Sequence, residues 1–311
     1  MSNFRAGFVG LIGEPNAGKS TLMNFLVQEK VSIVTPKPQT TRRRIHGIHT
    51  QQEGLVQGQI IFVDSPGLIH AKEGLNAFLE YEALEVIRES DVLVAVLSVD
   101  TEKKETLEEI LNLIVKSKKP WFAVITKADL RDKAHRVLIL KEMLNNLGAK
   151  HFTLSMKETE YQEARQDILD HAISLLPVTE RPLYEDDIFT TETLRQLACE
   201  IVREKCFEFC HQEIPYNMAV RSILFDEHSK KVPHVSLEIL VAKENHKGMV
   251  IGKGGENLKK IGSEARKGIE KIMGEKIFLD IKVTCRENWY KNLHIMKELG
   301  YFHEKNRTKN K

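Results

Sequence analysis

The stretch Gly13-Glu14-Pro15-Asn16-Ala17-Gly18-Lys19-Ser20 reads as glycine, four residues, then Gly-Lys-Ser. That spacing is the pattern of a phosphate-binding loop. Its flanks fit: the apolar run 8–12 before it reads as a strand, and 21–28 after it, beginning at Thr21, reads as a helix. The glycines let backbone N–H groups turn inward around a polyphosphate. The following helix adds its positive N-terminal end. Lys19 is placed to reach the outer phosphates and Ser20 to ligate Mg²⁺. A glycine-rich turn with an incidental Lys-Ser is the competing reading, and the two correct flanks argue against it.

Outward from this loop, the runs 60–63, 92–97, 121–125 and 152–154 are rich in Val, Ile, Leu or Phe and stop at polar or Gly-containing residues. Like 8–12, they read as buried strands. The stretches 80–89, 105–117 and 133–147 between them have helical periodicity. The alternation predicts an α/β domain, a mainly parallel sheet with helices on both faces. Such sheets bind ligands beyond the carboxyl ends of their strands.

Asp64-Ser65-Pro66-Gly67-Leu68 follows one strand end. An acid there is placed to hold a Mg²⁺ shell, and the N–H of Gly67 to touch a terminal phosphate. The segment then has a reason to change shape when that phosphate leaves. By itself it would be a plain turn; the phosphate loop upstream decides otherwise. Thr126-Lys127-Ala128-Asp129 closes the strand 121–125. A carboxylate at Asp129 can accept from the ring N–H and the exocyclic amine of guanine, an arrangement adenine does not offer on that edge. Lys127 is expected along the base plane, and Ser155-Met156-Lys157 to supply a backbone N–H to the guanine carbonyl. Two ordinary polar loops would explain either segment alone; their order and their places at strand ends favour a base site.

The chain has 311 residues, about two domains. Hydrophobic residues make up 41%, enough for ordinary cores and too many for a disordered chain. Four cysteines are too few for a disulfide scaffold. The first residues show no basic segment followed by a long apolar run, so no secretory signal is read. The longest apolar stretch, 92–99, is far short of the ~20 residues of a membrane span. A reduced, cytoplasmic protein is expected.

The alternation stops near Leu176. Residues 177–187 hold two prolines and clustered acids and read as a linker. Thr191 is expected to cap a helix running to about Cys210. Then 217–226 and 235–242 alternate as strands, 248–255 is a glycine-rich turn, 258–273 is helical, 277–283 is a strand and 289–299 is helical. The tail 302–311 is basic. The formal net charge of +2 conceals an asymmetry: residues 240–311 hold 17 Lys and Arg against 9 Asp and Glu, leaving the rest of the chain at −6. A solubilised tail or polyanion binding would each explain this. Gly252-Lys253-Gly254-Gly255 lets a nucleic-acid backbone approach closely. Lys253 is expected to face phosphate, and Ile251 and Ile261 to line a groove for unstacked bases. Lys259, Lys260, Arg266 and Lys267 extend the positive field. A C-cap glycine turn in a helical hairpin is the alternative.

Taken together, these segments resemble the Era family of bacterial GTPases. The likeness rests on Asn16 inside the loop, Gln39-Thr40-Thr41-Arg42, Asp64-Ser65-Pro66-Gly67-Leu68 and the linker with its following helix. It continues through Glu213-Ile214-Pro215-Tyr216 and Val250-Ile251-Gly252-Lys253-Gly254-Gly255 with 258–266 behind it. It spans nearly the whole chain. It implies an α/β P-loop GTPase domain over 1–176, a linker over 177–190, an α+β KH domain of type II over 191–285, and a C-terminal helix with basic tail over 286–311. It implies GTP and GDP as ligands with Mg²⁺, held by Ser20, Thr41 and Asp64, and Lys19, Thr41 and Gly67 acting on the reacting phosphate. It further implies binding of the 3′ end of 16S ribosomal RNA and of the 30S subunit during small-subunit assembly. A cytoplasmic monomer is expected, with a peripheral membrane contact that rests on the resemblance alone.

The chain departs from the family pattern at three places. Thr126 stands where Asn is usual and is expected to weaken guanine binding; Ser65 replaces Thr, and Met156 replaces Ala. Leu68 also occupies the place where many GTPases orient water with Gln. Two solutions remain open: water held by backbone groups and Thr41, or a K⁺ ion held by Asn16 and carbonyls of residues 35–40. Two other functions remain as alternatives, a GTP-liganded RNA adaptor with negligible hydrolysis and a P-loop ATPase. Cys199, Cys206 and Cys210 share one helix face and read as core thiols rather than a metal site. Arg42-Arg43-Arg44 reads as steering for RNA or a partner, or as a solvated face. Asp91 and Asp100 read as turn caps.

Overall fold

The computed structural model describes residues 4–35, 37, 40–52, 56–68, 74–155, 162–211, 213–229 and 232–302. The chain separates into two units, residues 1–70 with 79–191, and 71–78 with 192–311.

The first unit is built on strands apolar on both faces. β1 (Arg5–Ile12), β3 (Gly58–Asp64), β4 (Val92–Ser98) and β5 (Trp121–Thr126) run parallel. With β2 (Ile45–Gln51) and β6 (His151–Thr153) they form a six-stranded sheet in the order β2-β3-β1-β4-β5-β6. Only β2 is antiparallel to its neighbour. The two-residue period of a strand divides the core between faces. Val92, Val94 and Val96 of β4 join one cluster with α1 (Lys19–Val27) and α5 (Gln162–Leu175). Leu93, Ala95 and Leu97 join another with α2 (Gly74–Glu89), α3 (Lys104–Lys116) and α4 (Ala134–Asn146). The α/β architecture therefore stands as read. Two elements escaped the reading: β2 mixes apolar and polar residues, and α5 follows a base-site loop already interpreted as irregular.

The segment read as a linker is a correction. Residues 177–190 are strapped to the first sheet, from the start of β1 to the edge strand β2. Arg5 bridges Val178 and Gly47 bridges Thr190 in antiparallel fashion. Ile48 N–H donates to the Phe189 carbonyl (2.9 Å). The fully buried Gln59 side chain accepts from the Leu183 and Tyr184 amides (2.8 and 2.9 Å) and donates to the Tyr184 carbonyl (2.9 Å). An edge strand has unpaired backbone groups, and this segment satisfies those of β2.

The second unit holds α6 (Leu194–Phe209), β7 (Met218–Asp226), β8 (His234–Val241), α7 (Glu244–Ile251), α8 (Glu256–Met273), β9 (Phe278–Cys285) and α9 (Leu293–Glu298). Its sheet has the order β7-β8-β9, antiparallel then parallel. Ile261, Ala265 and Ile269 of α8 recur every four residues and enter its core. Gly268 lets α6 approach, since a Cβ there would lie 2.9 Å from Ile201 Cγ2. Cys206 and Cys210 are buried in the same core, and Cys199 packs at its edge.

Two boundaries differ from expectation. The cap of α6 is Thr193, not Thr191: Thr193 and Gln196 form a reciprocal capping box, which Thr191 with Leu194 lacks the chemistry to make. The 289–299 stretch is not one helix but a 3-10 turn (Trp289–Lys291) followed by α9. Asn292 restarts the chain by accepting from the amides of His294 and Ile295. The tail 303–311 lies outside the described residues. Among the described residues no helix is long and apolar enough to cross a membrane.

Candidate functional site

β1 delivers the chain to the loop 13–18, and α1 leaves from it. Close approach requires glycine at the first position, because a Cβ on Gly13 would lie 2.4 Å from the Val96 carbonyl oxygen. The turn passes through left-handed Asn16 (φ 65°) and Gly18 (φ 92°). α1 starts at Lys19 with no acid in its first turn, so its N-terminal end favours an anion. Lys19 is buried and its Nζ donates to the carbonyls of Gly13 (3.2 Å) and Glu14 (2.7 Å). Burial lowers its pKa to about 8, against the opposing pull of Asp64 and Glu14. An ammonium held this way is charged at neutral pH and poorly solvated, which suits a polyphosphate partner.

Asp64, at the end of β3, is fully buried. Its Oδ2 accepts from Ser20 Oγ (2.5 Å), Ser32 Oγ (3.0 Å) and Thr41 Oγ1 (3.2 Å). The Ser20 and Thr41 hydroxyls are themselves 2.9 Å apart. Asp64 Oδ1 has no hydrogen-bond partner among the described residues. Burial pushes the carboxyl pKa up, while Lys19 and the three hydroxyls pull it down. The expected triad of Ser20, Thr41 and Asp64 is thus brought together from α1, the 28–44 segment and β3. A bare carboxylate oxygen beside two hydroxyls is an all-oxygen set that fits a hard cation such as Mg²⁺.

Gly67 lies against the loop, where a Cβ would meet the Pro15 nitrogen at 2.2 Å. Leu68 N–H donates to the Gly13 carbonyl (3.3 Å). Ser65 keeps a hydroxyl contact, donating to Leu11 O (2.8 Å). A cleft is lined by Lys19, Ser20, Thr35, Thr40, Thr41 and Gly67, among others. Gln39, in the expected switch segment, lies outside the described residues, as do Met156 and Lys157.

The base side is assembled from β5 and β6. Thr126 is fully buried, and its hydroxyl donates to the Ala17 carbonyl (2.7 Å). This residue, expected to weaken guanine binding where Asn is usual, ties the base loop to the phosphate loop. Lys127 takes a left-handed φ of 57°. Its Nζ lies 3.5 Å from Asp100 Oδ2, and Asp100 also pairs with Lys133. Asp100, read as a turn cap, instead braces both ends of the loop carrying Asp129. Asp91 accepts from the Phe8 amide (2.8 Å). Ser155 is buried beyond β6.

In the second unit, Gly252, Gly254 and Gly255 all have positive φ (75°, 60° and 80°). A Cβ on Gly254 or Gly255 would meet nothing within 4 Å, so this turn faces open space. Lys253, Lys259, Lys260 and Arg266 are exposed and Ile251 is half-buried. Ile261 is a correction: it is fully buried in the core and lines no groove, because it shares the inward face of α8 with Ala265 and Ile269. The arginine run is another. Arg42 is buried, and Arg44 pairs with Glu82 and Glu89 of α2, so neither forms a solvated face or a steering patch. Sequence reasoning missed Ser32, which has no motif around it, and Asn257, whose Nδ2 donates to the carbonyls of Met249 (3.3 Å) and Val250 (3.2 Å) at the end of α7.

A family model described as 50S ribosome-binding GTPase matches residues 8–127, and one described as KH domain matches 213–290. GTPase Era of Geobacter metallireducens (strain ATCC 53774 / DSM 7210 / GS-15) is 37% identical over 303 residues, covering 96% of this chain and 98% of that protein. The chain belongs to the Era GTPase family. GTPase Era of Thermoanaerobacter sp. (strain X514) is 35% identical over 303 residues, 96% of each chain. Among solved structures, a point variant of Aquifex aeolicus Era bound to GDP·AlF4⁻ has a TM-score of 0.87 at 31% identity, covering 96% of this chain and all of that one. Era in complex with MgGDPNP and nucleotides 1506–1542 of 16S ribosomal RNA has a TM-score of 0.88 at 31% identity, with the same coverage. The Era fold thus accounts for both units, a P-loop GTPase domain and a KH domain.

Proposed function

We propose that this Era-family GTPase is a slow molecular switch that hydrolyses GTP, reads the 3′ end of 16S ribosomal RNA through its KH domain, and acts in assembly of the 30S subunit. The observation that carries the reading is the meeting of Ser20, Thr41 and Asp64 beside Lys19 at the mouth of the phosphate loop. Ser20, Thr41 and Asp64 would hold Mg²⁺, which neutralises charge on the terminal phosphates. Lys19 and the loop amides bind and orient the polyphosphate. Thr41 and the Gly67 amide sense the terminal phosphate, and their segments relax when it leaves. Asp129 reads guanine, with Lys127 along the base and the 155–157 loop at the carbonyl.

Leu68 cannot orient water, so the attacking water is held by backbone groups with Thr41, or K⁺ at Asn16 supplies the missing charge. Asn16 is exposed at the top of the loop in a left-handed turn, which favours the second route. Equal turnover in K⁺ and Na⁺ buffers of matched ionic strength would remove it.

The RNA site comprises Ile251, Gly252, Lys253, Gly254 and Gly255 with Lys259, Lys260 and Arg266 on α8. Both sites are built from one chain, so a monomer suffices. The cytoplasm follows from the ribosomal partner, and flotation with anionic vesicles checks the peripheral membrane contact. The deciding experiment is phosphate release from GTP with and without an oligonucleotide of the 16S 3′ end. Release no faster than buffer in both would favour the adaptor reading that Leu68 keeps open. ATP competing as well as GTP for the site would sink the guanine assignment.

A further inference from the structure

Three hydroxyls converge on a single oxygen of Asp64, and only two of them have a place in the proposed cation site. The third belongs to Ser32, which is 2% exposed and donates to Oδ2 at 3.0 Å. Ser32 is itself fixed from α1. Asn24 Oδ1 accepts from the amides of Val31 and Ser32, each at 3.0 Å, and Asn24 Nδ2 donates to the Ser32 carbonyl at 2.7 Å. One amide side chain thus holds both backbone groups of the residue whose hydroxyl meets the carboxylate. A buried side chain with its backbone clamped on both sides has little freedom to re-aim its hydroxyl.

A carboxylate turns about its Cβ–Cγ bond, so either oxygen can be presented to a cation. When Ser20 and Thr41 turn their oxygen lone pairs to a metal, their positions are set by the cation as well as by Oδ2. Ser32 is outside that set and keeps donating. It fixes the rotation of the carboxylate, with Oδ2 beside the Ser20 and Thr41 hydroxyls and Oδ1 without a partner among the described residues. Outer partners of this kind orient metal-binding groups, and losing one costs about 10- to 100-fold in metal affinity.

We propose that Ser32, held by Asn24, is a positioning residue that aims Asp64 at the Mg²⁺ of the bound nucleotide. The inference rests on the Mg²⁺ site proposed above. The test follows dissociation of a fluorescent GDP analogue from the full chain while Mg²⁺ is titrated from chelated to millimolar levels. In Ser32→Ala, the Mg²⁺ concentration giving half the slowing rises about tenfold, while the rate in chelator stays within about twofold of the parent's, because the loop and base contacts are untouched. An unchanged midpoint overturns the proposal. So does an equal acceleration with and without Mg²⁺, which marks a merely structural hydroxyl. A parent protein whose dissociation ignores Mg²⁺ overturns the cation site itself and the positioning role with it. If Ser32→Ala lacks a cooperative thermal transition, Ser32→Cys fills the position with a weak donor and is judged on the same midpoint.

Discussion

Thr126 shows how a single substitution is absorbed. Its hydroxyl holds the Ala17 carbonyl at 2.7 Å, so it links the end of β5 to the phosphate loop. Thr126→Val leaves that carbonyl without its donor, at a cost of about 1–3 kcal/mol. Calorimetry should find GDP bound about tenfold more weakly, near 1.4 kcal/mol, with the preference for guanine over adenine intact because Asp129 is unaltered. Gly67 is constrained more severely. The Cβ of Gly67→Ala would fall 2.2 Å from a backbone nitrogen that cannot yield. Hydrolysis in that variant should drop by about a hundredfold, the scale of a lost phosphate donor, and by more than GDP affinity does. Single-turnover phosphate release against GDP titration separates the two. Neither neighbour was legible in the sequence, since Ala17 is 109 residues from Thr126 and Pro15 is in a different loop from Gly67.

Among the elements, the turn between α7 and α8 makes the clearest prediction. Gly254 has φ 60° and open space around its Cβ position. Asp tolerates that left-handed region, so Gly254→Asp should keep the thermal transition within a few degrees. Its charge stands where an RNA backbone would lie, and filter binding should show RNA affinity lost at least tenfold. Unchanged affinity would move the RNA site elsewhere in the domain. Strand β2 has a different signature. Burial, with a smaller effect of Arg165, lowers His49 to a pKa of about 4. Burial likewise holds His46 and His171 below their ordinary values. The unfolded chain takes up these protons near pH 6.5 and the folded one does not. The stability they contribute is therefore complete above about pH 6.5 and is lost as pH falls toward 4. For the half-buried His49 the loss is about 2 kcal/mol. Urea unfolding at pH 7 and pH 5 should show a smaller drop in His49→Gln than in the parent. β4 could be read from its sequence because both faces are buried and every residue is apolar. β2 could not, because it mixes apolar and polar residues and its backbone at Gly47 and Ile48 meets the 177–190 strap.

For the whole molecule, that strap ties the start of the route to the RNA-binding unit to β2 and β3, the strands flanking the nucleotide segments. Gln59 is its anchor, buried and bonded to Leu183, Tyr184 and Thr50. Gln59→Ala should cost about 2 kcal/mol and speed hydrogen exchange at 183–190. A loss below about 0.5 kcal/mol, the scale of a neutral surface change, would show that other contacts hold the strap. The charge division, net +8 over residues 240–311, predicts that RNA binding weakens steeply with salt. Any coupling between GTP and RNA must act equally in both directions. The sequence by itself determined the phosphate loop, the parallel sheet, the strand-end loop after β5 and the exposed glycine turn. Each is written in consecutive residues whose backbone demands or apolar period are local. Only the tertiary structure decided that Ser32 faces Asp64, that Asp100 braces Lys127, that Ile261 is core and that 177–190 is a strap. Those facts depend on which side chains meet across long stretches of chain, and hydrogen-bond partners and burial are set by packing rather than by any local pattern.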